Sequence, residues 1–287
     1  MTIAVATPTG NIGQVLVRQL LTRNANLVLL ARKPDALPAD VRGQVRVEQG
    51  ELQDAAYLQE ATAGADALFW LTPANYATPS MADWYDALIA SATNAVTKNG
   101  IGRVVNLSSQ GAHRLEGLGP VSGLGRVENA FDETDADVVH LRPGFFMENL
   151  LGQLDAVRHT GAMYYPSRTD VPVAMVATQD IAVVAADWLM DTTWSGRHVA
   201  GIHGPRDLSY DEAAQLVGET LGVPARAQQV PVEATVEQLQ QFASPDWAKH
   251  LGDLYSNIAT EDYSAEPRTE ATTTPTTLEA FLAERVR

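Results

Sequence analysis

The residues that decide the fold stand at the start of the chain: Thr2-Ile3-Ala4-Val5-Ala6, then Thr7-Pro8-Thr9-Gly10-Asn11-Ile12-Gly13. The first five form a short apolar run bounded by turn residues, which is typical of a buried parallel strand. Apolar residues then recur at the spacing of one helix face, which predicts an amphipathic helix to about Asn24. Gly10 and Gly13 let backbone N–H groups at the positive end of that helix approach an anion, and Thr9, Asn11 and Ile12 add donors. The stretch predicts a strand–turn–helix unit that binds a pyrophosphate.

The turn departs from the dinucleotide-binding fingerprint at its first position. The fingerprint begins with a glycine, and Thr7 stands there instead. Pro8 removes one N–H donor and is expected to hold Thr7 in an extended conformation. Two glycines three residues apart are a weak signal, so a strand-to-helix turn without a ligand remains an open interpretation of this stretch alone.

A second apolar run, Leu27–Ala31, completes a βαβ unit and ends in Arg32 and Lys33. In dinucleotide-binding folds an acid at this strand end binds the ribose 2′-hydroxyl of NAD, whereas an arginine accommodates the 2′-phosphate of NADP. No acid occupies the position, and Asp35 follows only after a proline. A solvated basic loop is the alternative, but two adjacent cations in a chain of net charge −15 favour NADP(H).

Composition limits the classes of function. At 287 residues and 45% hydrophobic content, one α/β sheet with an appended lobe holds the chain. The 35 acids against 20 bases argue against nucleic-acid binding and against anionic membranes. The chain has no cysteine, which excludes disulfides and thiolate nucleophiles. No signal-like segment precedes the first strand, and no apolar run is long enough to span a bilayer, so we expect a cytoplasmic protein.

Strands and helices alternate through the first half of the chain. Further strands are expected at Val45–Glu48, Ala67–Leu71, Arg103–Leu107 and Val138–Arg142, with helices at about 54–63, 79–98 and 124–133 between them. Repeated βα units with short connections predict a doubly wound, parallel Rossmann-type sheet of the α/β class. We expect residues 1–155 to form this NAD(P)-binding domain.

The second half is less regular. Residues 172–205 are expected to rejoin the sheet, with a helix from Asp180 and a strand at Arg197–His203. Residues 156–171 and 206–287 are expected to form a smaller, mainly helical C-terminal lobe that holds the substrate. The pattern predicts helices at 145–159, after the capping box at Ser209, at 232–243 and 246–258, and after Thr277, with residues 264–276 as an extended surface segment.

In doubly wound sheets, ligands bind beyond the carboxyl ends of the strands, where the strand order reverses. This rule selects strand ends that are far apart in sequence as one crevice. They are the Gly10 turn, Arg32, Glu51 and Leu52, Leu71-Thr72-Pro73, Ser108-Ser109, and Pro143 to Phe146.

Several motifs together resemble the NmrA-like branch of the atypical short-chain dehydrogenase/reductase superfamily. The matching stretches are Pro8–Gly13, Leu30–Arg32, Gln49–Leu52, Gly64–Phe69, Val104–Ser109, Leu141–Leu150, Asp180–Ala182 and Thr274–Leu278. The family includes NADPH-dependent reductases of quinones and triphenylmethane dyes, isoflavone-reductase-like enzymes and dinucleotide sensors without chemistry. The resemblance implies that Gly10–Ile12 hold the pyrophosphate and Arg32 the 2′-phosphate. It implies that Leu71–Pro73, Ser108 and Pro143–Phe145 line the nicotinamide end.

The usual acid of short-chain dehydrogenases is missing. Those enzymes use a tyrosine and a lysine four residues later, and the expected segment, Pro120–Arg126, contains neither. Hydride transfer without that acid is feasible when the acceptor delocalises charge, so the leading hypothesis is an NADPH-dependent reductase of a conjugated, quinone- or dye-like molecule. A non-catalytic NADP(H) sensor that regulates a protein partner, or an isomerase or cyclase that has lost the cofactor, remains open.

Five residues are candidates to take part in such a reaction, as catalytic groups or as contacts to the substrate. Ser108, His113 and Tyr76 are the candidate catalytic residues, and Tyr76, Phe146 and Asn149 the candidate substrate contacts. His113 lies in the loop after the fifth strand, where a solvated histidine is the alternative interpretation. Tyr76 covers the cofactor or packs on the surface, and Asn149 faces substrate or solvent. His198 and His203 have no neighbouring ligand pattern of a metal site, so we expect no metal.

Overall fold

The computed structural model describes residues 1–258 and 265–286. Its strands are β1 (Thr2–Ala6), β2 (Asn26–Ala31), β3 (Arg46–Gln49), β4 (Ala67–Leu71), β5 (Arg103–Leu107), β6 (Asp137–Pro143), β7 (Phe145–Phe146), β8 (Ala162–Tyr165), β9 (Val173–Val176), β10 (Arg197–Ile202), β11 (Asp207–Leu208) and β12 (Arg226–Gln229).

The helices are α1 (Asn11–Thr22), α2 (Ala39–Arg42), α3 (Ala55–Ala61), α4 (Met81–Asn99), α5 (Pro120–Asp132), α6 (Glu148–Leu151), α7 (Leu154–Thr160), α8 (Thr178–Met190), α9 (Tyr210–Leu221), α10 (Val232–Leu239), α11 (Pro245–Ile258) and α12 (Leu278–Arg285). A short 3₁₀ helix covers Pro34–Ala36. No helix among the described residues is long and apolar enough to cross a membrane.

Seven strands form one parallel sheet in the order β10-β6-β5-β4-β1-β2-β3. The chain winds outward from β1 to β3, then returns to the middle and winds in the other direction through β4, β5, β6 and β10. The order reverses between β1 and β4, which is where such sheets bind dinucleotides. The predicted doubly wound Rossmann-type fold is confirmed.

Alternating side chains of the strands supply two apolar layers. In β1, Ile3 and Val5 pack with α1 and α8 on one face, whereas Ala4 and Ala6 pack with α4 and α5 on the other. Trp70 of β4 is fully buried in the second layer. Because both faces are covered, every central strand is an almost continuous apolar run. The sheet is therefore a rigid platform for the loops at its carboxyl edge.

A third apolar cluster holds the C-terminal lobe together. It joins β8, α9 and α12 through residues such as Met163, Val217 and Leu282. The capping box at α9 forms as predicted: the Ser209 hydroxyl accepts from the Glu212 N–H at 3.1 Å, and the Glu212 carboxylate accepts from the Ser209 N–H at 2.8 Å. The lobe also contains the two-stranded sheet β12-β8 and the three-stranded sheet β11-β9-β7.

The segment after β6 differs from the predicted helix at 145–159. Phe145 and Phe146 pair with β9 as strand β7, and the helical part is divided into α6 and α7 at Gly152. At Gly144 a Cβ would lie 2.4 Å from the Ala174 carbonyl oxygen, so the chain passes too close to β9 for a side chain. Pairing with this distant strand overrides the local helical pattern.

Two other boundaries differ from the prediction. Helix α5 begins at Pro120, four residues before the expected Leu124, because a proline fits the first helical turn, where its missing N–H is not needed. Within the expected surface segment 264–276, Ser264 lies outside the described residues. Further along the segment, the Glu266 carboxylate accepts a hydrogen bond from Arg142 at 2.6 Å, and the Thr274 N–H donates to the His203 carbonyl at 2.7 Å. These contacts fasten the segment to the carboxyl end of the sheet.

Candidate functional site

The turn between β1 and α1 is built around Gly13. A Cβ there would lie 2.2 Å from the Thr7 carbonyl oxygen and 2.9 Å from Pro8 Cα, so only glycine lets the helix sit this close to the turn. Gly10 is the N-cap, and its N–H donates to the Thr7 carbonyl at 3.1 Å. The N–H groups of Asn11, Ile12 and Gly13 belong to the first helical turn and have no intrahelical acceptor. They present donors and the positive helix end to an anion, as a pyrophosphate requires.

The conformation of Thr7 corrects the expectation that Pro8 holds it extended. Its φ is +52°, in the left-handed region that favours glycine. This rotation points its carbonyl at the Gly10 N–H, which closes the turn. The Thr7 hydroxyl is buried and has no hydrogen-bond partner among the described residues. The first position of the fingerprint therefore requires a left-handed backbone conformation. Glycine adopts that conformation freely, whereas Thr7 adopts it under strain.

Arg32 and Lys33 follow β2 directly and are both exposed. Neither forms an ion pair with a described residue, and the nearby Asp35 carboxylate pairs with Arg42 at 2.8 Å. Glu51 is also exposed, whereas Leu52 is buried and its carbonyl accepts from Ser91 Oγ at 2.5 Å. Two exposed cations without an ion-pair partner among the described residues therefore stand at the end of β2.

Hydrogen bonds tie the loops at the ends of β4, β5 and β6 to their surroundings. The Ser108 N–H donates to the Leu141 carbonyl at 2.8 Å, and the Gln110 N–H donates to the Pro143 carbonyl at 3.1 Å. The Ser108 hydroxyl is buried and has no partner among the described residues. An unsatisfied buried hydroxyl beside two strand ends is suited to a polar group of a ligand.

The loop after β4 is fixed by two tryptophans. Leu71 is partly exposed, and the Thr72 hydroxyl accepts from Trp70 Nε1 at 2.9 Å. The Pro73 carbonyl accepts from Trp84 Nε1 at 2.7 Å. These bonds hold the loop across the carboxyl edge of β4, adjacent to the turn after β1.

A cavity of about 540 Å³ lies between these loops and the C-terminal lobe. Of the predicted site residues, Tyr76, Pro143, Phe145, Phe146 and Asn149 line it together. Ser108 is next in sequence to the lining residue Ser109. His113 is exposed and does not line the cavity.

Aromatic side chains that the sequence did not single out form one wall of the cavity. Tyr165 stacks on Tyr210 with ring centroids 4.0 Å apart, and Phe145 contacts the edge of Tyr210 at 5.5 Å. Tyr76, on the other side, packs edge-on against Trp247 at 5.2 Å. Burial raises the pKa of both Tyr76 and Tyr165 above the ordinary value, so both stay protonated near neutral pH. The run Tyr164-Tyr165-Pro166 was the one feature of the sequence that could have indicated an aromatic wall here.

Gln110 is a second lining residue that sequence analysis missed. Its side-chain Nε2 lies 3.1 Å from Nε2 of His203, and both residues are buried. Burial, followed by the charge of Arg268, lowers the pKa of His203. A neutral imidazole accepts the hydrogen bond from the Gln110 amide and holds that amide at the cavity wall. Among the described residues, no group of three His, Asp or Glu side chains is arranged to hold a metal ion.

Comparison with known proteins assigns the fold to a family. A family model described as NAD(P)H-binding matches residues 8–192, which is more than half of the chain. The chain belongs to this NAD(P)H-binding family. The turn at Gly10–Gly13 and the cations after β2 lie within the matched part. The match confirms the NAD(P)H-binding assignment that the resemblance implied.

Two curated relatives align with most of this chain. The NAD(P)H azoreductase of Xenophilus azovorans is 29% identical over 267 residues, covering 92% of this chain and 89% of the relative. The (4-alkanoyl-5-oxo-2,5-dihydrofuran-3-yl)methyl phosphate reductase of Streptomyces griseus subsp. griseus is 31% identical, covering 86% and 83%. The triphenylmethane reductase of Citrobacter sp., solved with NADP(H), superposes with a TM-score of 0.80 at 19% identity, covering 99% and 100%. This last likeness shows the shared fold.

Proposed function

We propose that the protein is an NAD(P)H-dependent reductase that delivers a hydride to a conjugated small molecule of the quinone or dye type. The observation that carries this proposal is the position of the aromatic cavity: it opens on the ends of β5 and β6, on the same edge of the sheet as the dinucleotide-binding turn. Both relatives are named as reductases, and one is an azoreductase, which supports the reaction class.

The proposed cofactor is NADPH in preference to NADH. Thr9, Asn11, Ile12 and the two turn glycines hold the pyrophosphate, and Arg32 with Lys33 holds the 2′-phosphate. The support is electrostatic: both cations are exposed, unpaired with described residues, and the strand end carries no acid that would bind a 2′-hydroxyl. Glu51 and Leu52 border the adenosine side.

The nicotinamide end is proposed to lie against the loops after β4, β5 and β6. Leu71, Thr72, Pro73, Pro143 and Phe145 line it, and the partnerless Ser108 hydroxyl bonds the carboxamide. Bound NAD(P)H supplies the hydride. Tyr76, Phe146 and Asn149 contact the acceptor, and the exposed His113 is a candidate to return a proton to the product at the site entrance.

A flat conjugated acceptor fits this site for two physical reasons. The tyrosine and phenylalanine walls stack with a planar ring system, which aromatic pairs favour at centroid separations of about 4.5–7 Å. In addition, the chain lacks the Tyr-x-x-x-Lys acid in the segment Pro120–Arg126, so an acceptor that delocalises the added charge reacts more easily than an isolated ketone.

The experiment is a panel of acceptors assayed by NADPH oxidation. A naphthoquinone, a neutral azo dye, a triphenylmethane dye and an aliphatic ketone are each incubated with the purified protein and NADPH. We expect turnover with at least one conjugated acceptor and none with the ketone. Binding of NADPH with no reduction of any conjugated acceptor would favour the sensor hypothesis and contradict this proposal.

A further inference from the structure

Tyr165 lines the cavity and carries a buried hydroxyl that has no hydrogen-bond partner among the described residues. The residue ends β8, lines the cavity and is only 5% exposed. Its backbone is fixed, since the Val230 N–H donates to its carbonyl at 2.9 Å, and its ring is held by stacking on Tyr210. No described residue lies within hydrogen-bonding distance of its hydroxyl. The side chain is thus positioned without using the group that distinguishes it from phenylalanine.

Two other described tyrosines, the buried Tyr85 and the partly buried Tyr57, do use their hydroxyls. Tyr85 is 3% exposed and donates to the Pro120 carbonyl at 3.0 Å, and Tyr57 donates to the Glu48 carbonyl at 2.8 Å. A buried hydroxyl without a partner costs free energy because it loses its hydrogen bonds to water. Folding alone would therefore favour phenylalanine at position 165. A group that enters the cavity can serve as the missing partner.

The described lining of the same cavity is uncharged. None of the described residues that form its wall is an Asp, Glu, Lys, Arg or His. Residues 259–264, which follow the lining residue Ile258, contain no lysine or arginine in the sequence. An anionic group that entered would be desolvated without a counter-ion among the described residues, which is strongly unfavourable.

We propose that this cavity binds an uncharged planar acceptor and that the Tyr165 hydroxyl donates a hydrogen bond to its carbonyl oxygen or azo nitrogen. The proposal rests on the reductase function above. The acceptor gains a hydride, with its two electrons, from the reduced nicotinamide, which is left oxidised. Negative charge then develops on the heteroatom opposite Tyr165, where a donor in a dry site stabilises it. The heteroatom takes its proton from solvent at the site entrance, directly or through the exposed His113, and Tyr165 keeps its own.

The first test compares Tyr165→Phe with the matched control Tyr85→Phe. In Tyr165→Phe we expect kcat/KM for naphthoquinone to fall about 10- to 100-fold, the factor carried by a hydrogen bond to a charged group, while the Kd for NADPH is unchanged. Its melting temperature should stay equal or rise, because no protein hydrogen bond is lost. Tyr85→Phe should melt lower and keep its kcat/KM. A lower melting temperature with unchanged kcat/KM in Tyr165→Phe would overturn the proposal.

The second test measures the charge preference without turnover. A naphthoquinone and its ring-sulfonated analogue are titrated into the protein saturated with NADP⁺, and binding is followed by quenching of protein fluorescence. We expect the sulfonated compound to bind at least about tenfold more weakly, because its anion enters an uncharged cavity. Equal affinity would overturn the uncharged substrate class.

These measurements separate failure of this proposal from failure of the reductase function. A protein that binds naphthoquinone and reduces no acceptor refutes the reductase function and the role of Tyr165, and the sulfonate comparison still decides the charge preference. A protein that reduces another acceptor but binds no neutral quinone or azo dye keeps the reductase function and overturns the cavity proposal.

Discussion

Replacing Thr7 with glycine should stabilise the protein, although threonine stands at the start of its dinucleotide turn. Thr7 has a φ of +52° and a buried hydroxyl without a partner among the described residues. The left-handed conformation costs a residue with a Cβ about 1–2 kcal/mol. The unsatisfied hydroxyl adds a cost of about 1–3 kcal/mol. Against these stands the greater chain entropy of glycine in the unfolded state, about 0.5–1 kcal/mol.

The balance predicts that Thr7→Gly stabilises the fold by about 1–4 kcal/mol. For a chain of this size the melting temperature should rise by about 2–6 °C, measured by differential scanning fluorimetry without cofactor. Thr9→Gly is the matched control: Thr9 lies in the same turn, is partly exposed and has no left-handed φ to relieve. It should melt slightly lower than the wild type.

The Kd for NADPH gives a second readout of Thr7→Gly. Because the glycine adopts the conformation that already closes the turn, binding should be as tight as in the wild type or tighter. If Thr7→Gly melts as low as Thr9→Gly, the strain assigned to Thr7 does not exist, and the conformational account of the fingerprint's first glycine is refuted.

Two further predictions concern the turn and the cavity wall. Gly13→Ala places a Cβ 2.2 Å from the Thr7 carbonyl oxygen, so it should lower the free energy of unfolding by about 1–3 kcal/mol and raise the Kd for NADPH at least tenfold. Gly10→Ala is the control: its Cβ would lie 3.5 Å from the same oxygen, so its melting temperature should equal that of the wild type. Burial lowers the pKa of His203 in the folded state, so the unfolded chain binds the proton more readily, and stability should fall as the pH drops below about 6.5 toward that lowered pKa. Urea midpoints across this range test it, and His203→Gln should remove part of the decline.

The sheet was predictable because its strands are buried on both faces. Ala67–Leu71 and Arg103–Leu107 lie at the residues expected, since each is an apolar run between turn residues and needs no other information. β7 and β12 were not predictable in this way. β7 is two residues long and exists through pairing with β9, and β12, Arg226–Gln229, is a polar strand that pairs with β8. Such pairings depend on contacts between distant segments, which local periodicity does not encode.

The strand-end rule selected one side of the candidate site but not the other. Pro143, Phe145 and Phe146 lie on the cavity because they stand at or just after the carboxyl end of β6. Tyr165 and Tyr210 come from the C-terminal lobe, whose packing against the sheet no local pattern reveals. The roles assigned to Tyr76, Ser108, His113 and Asn149 remain predictions.

The proposed function depends on a turn after β1 that binds a dinucleotide and on Arg32, which holds the 2′-phosphate of that dinucleotide. The most direct measurement is a titration of the protein with NADPH and with NADH, followed by nicotinamide fluorescence. We expect NADPH to bind about 10- to 100-fold more tightly, and Arg32→Ala to remove that difference while leaving the Kd for NADH unchanged. Arg158→Ala, a change at an exposed arginine of α7, should leave both affinities as they are. Binding of neither nucleotide, or a preference for NADPH that survives Arg32→Ala, would contradict the proposal.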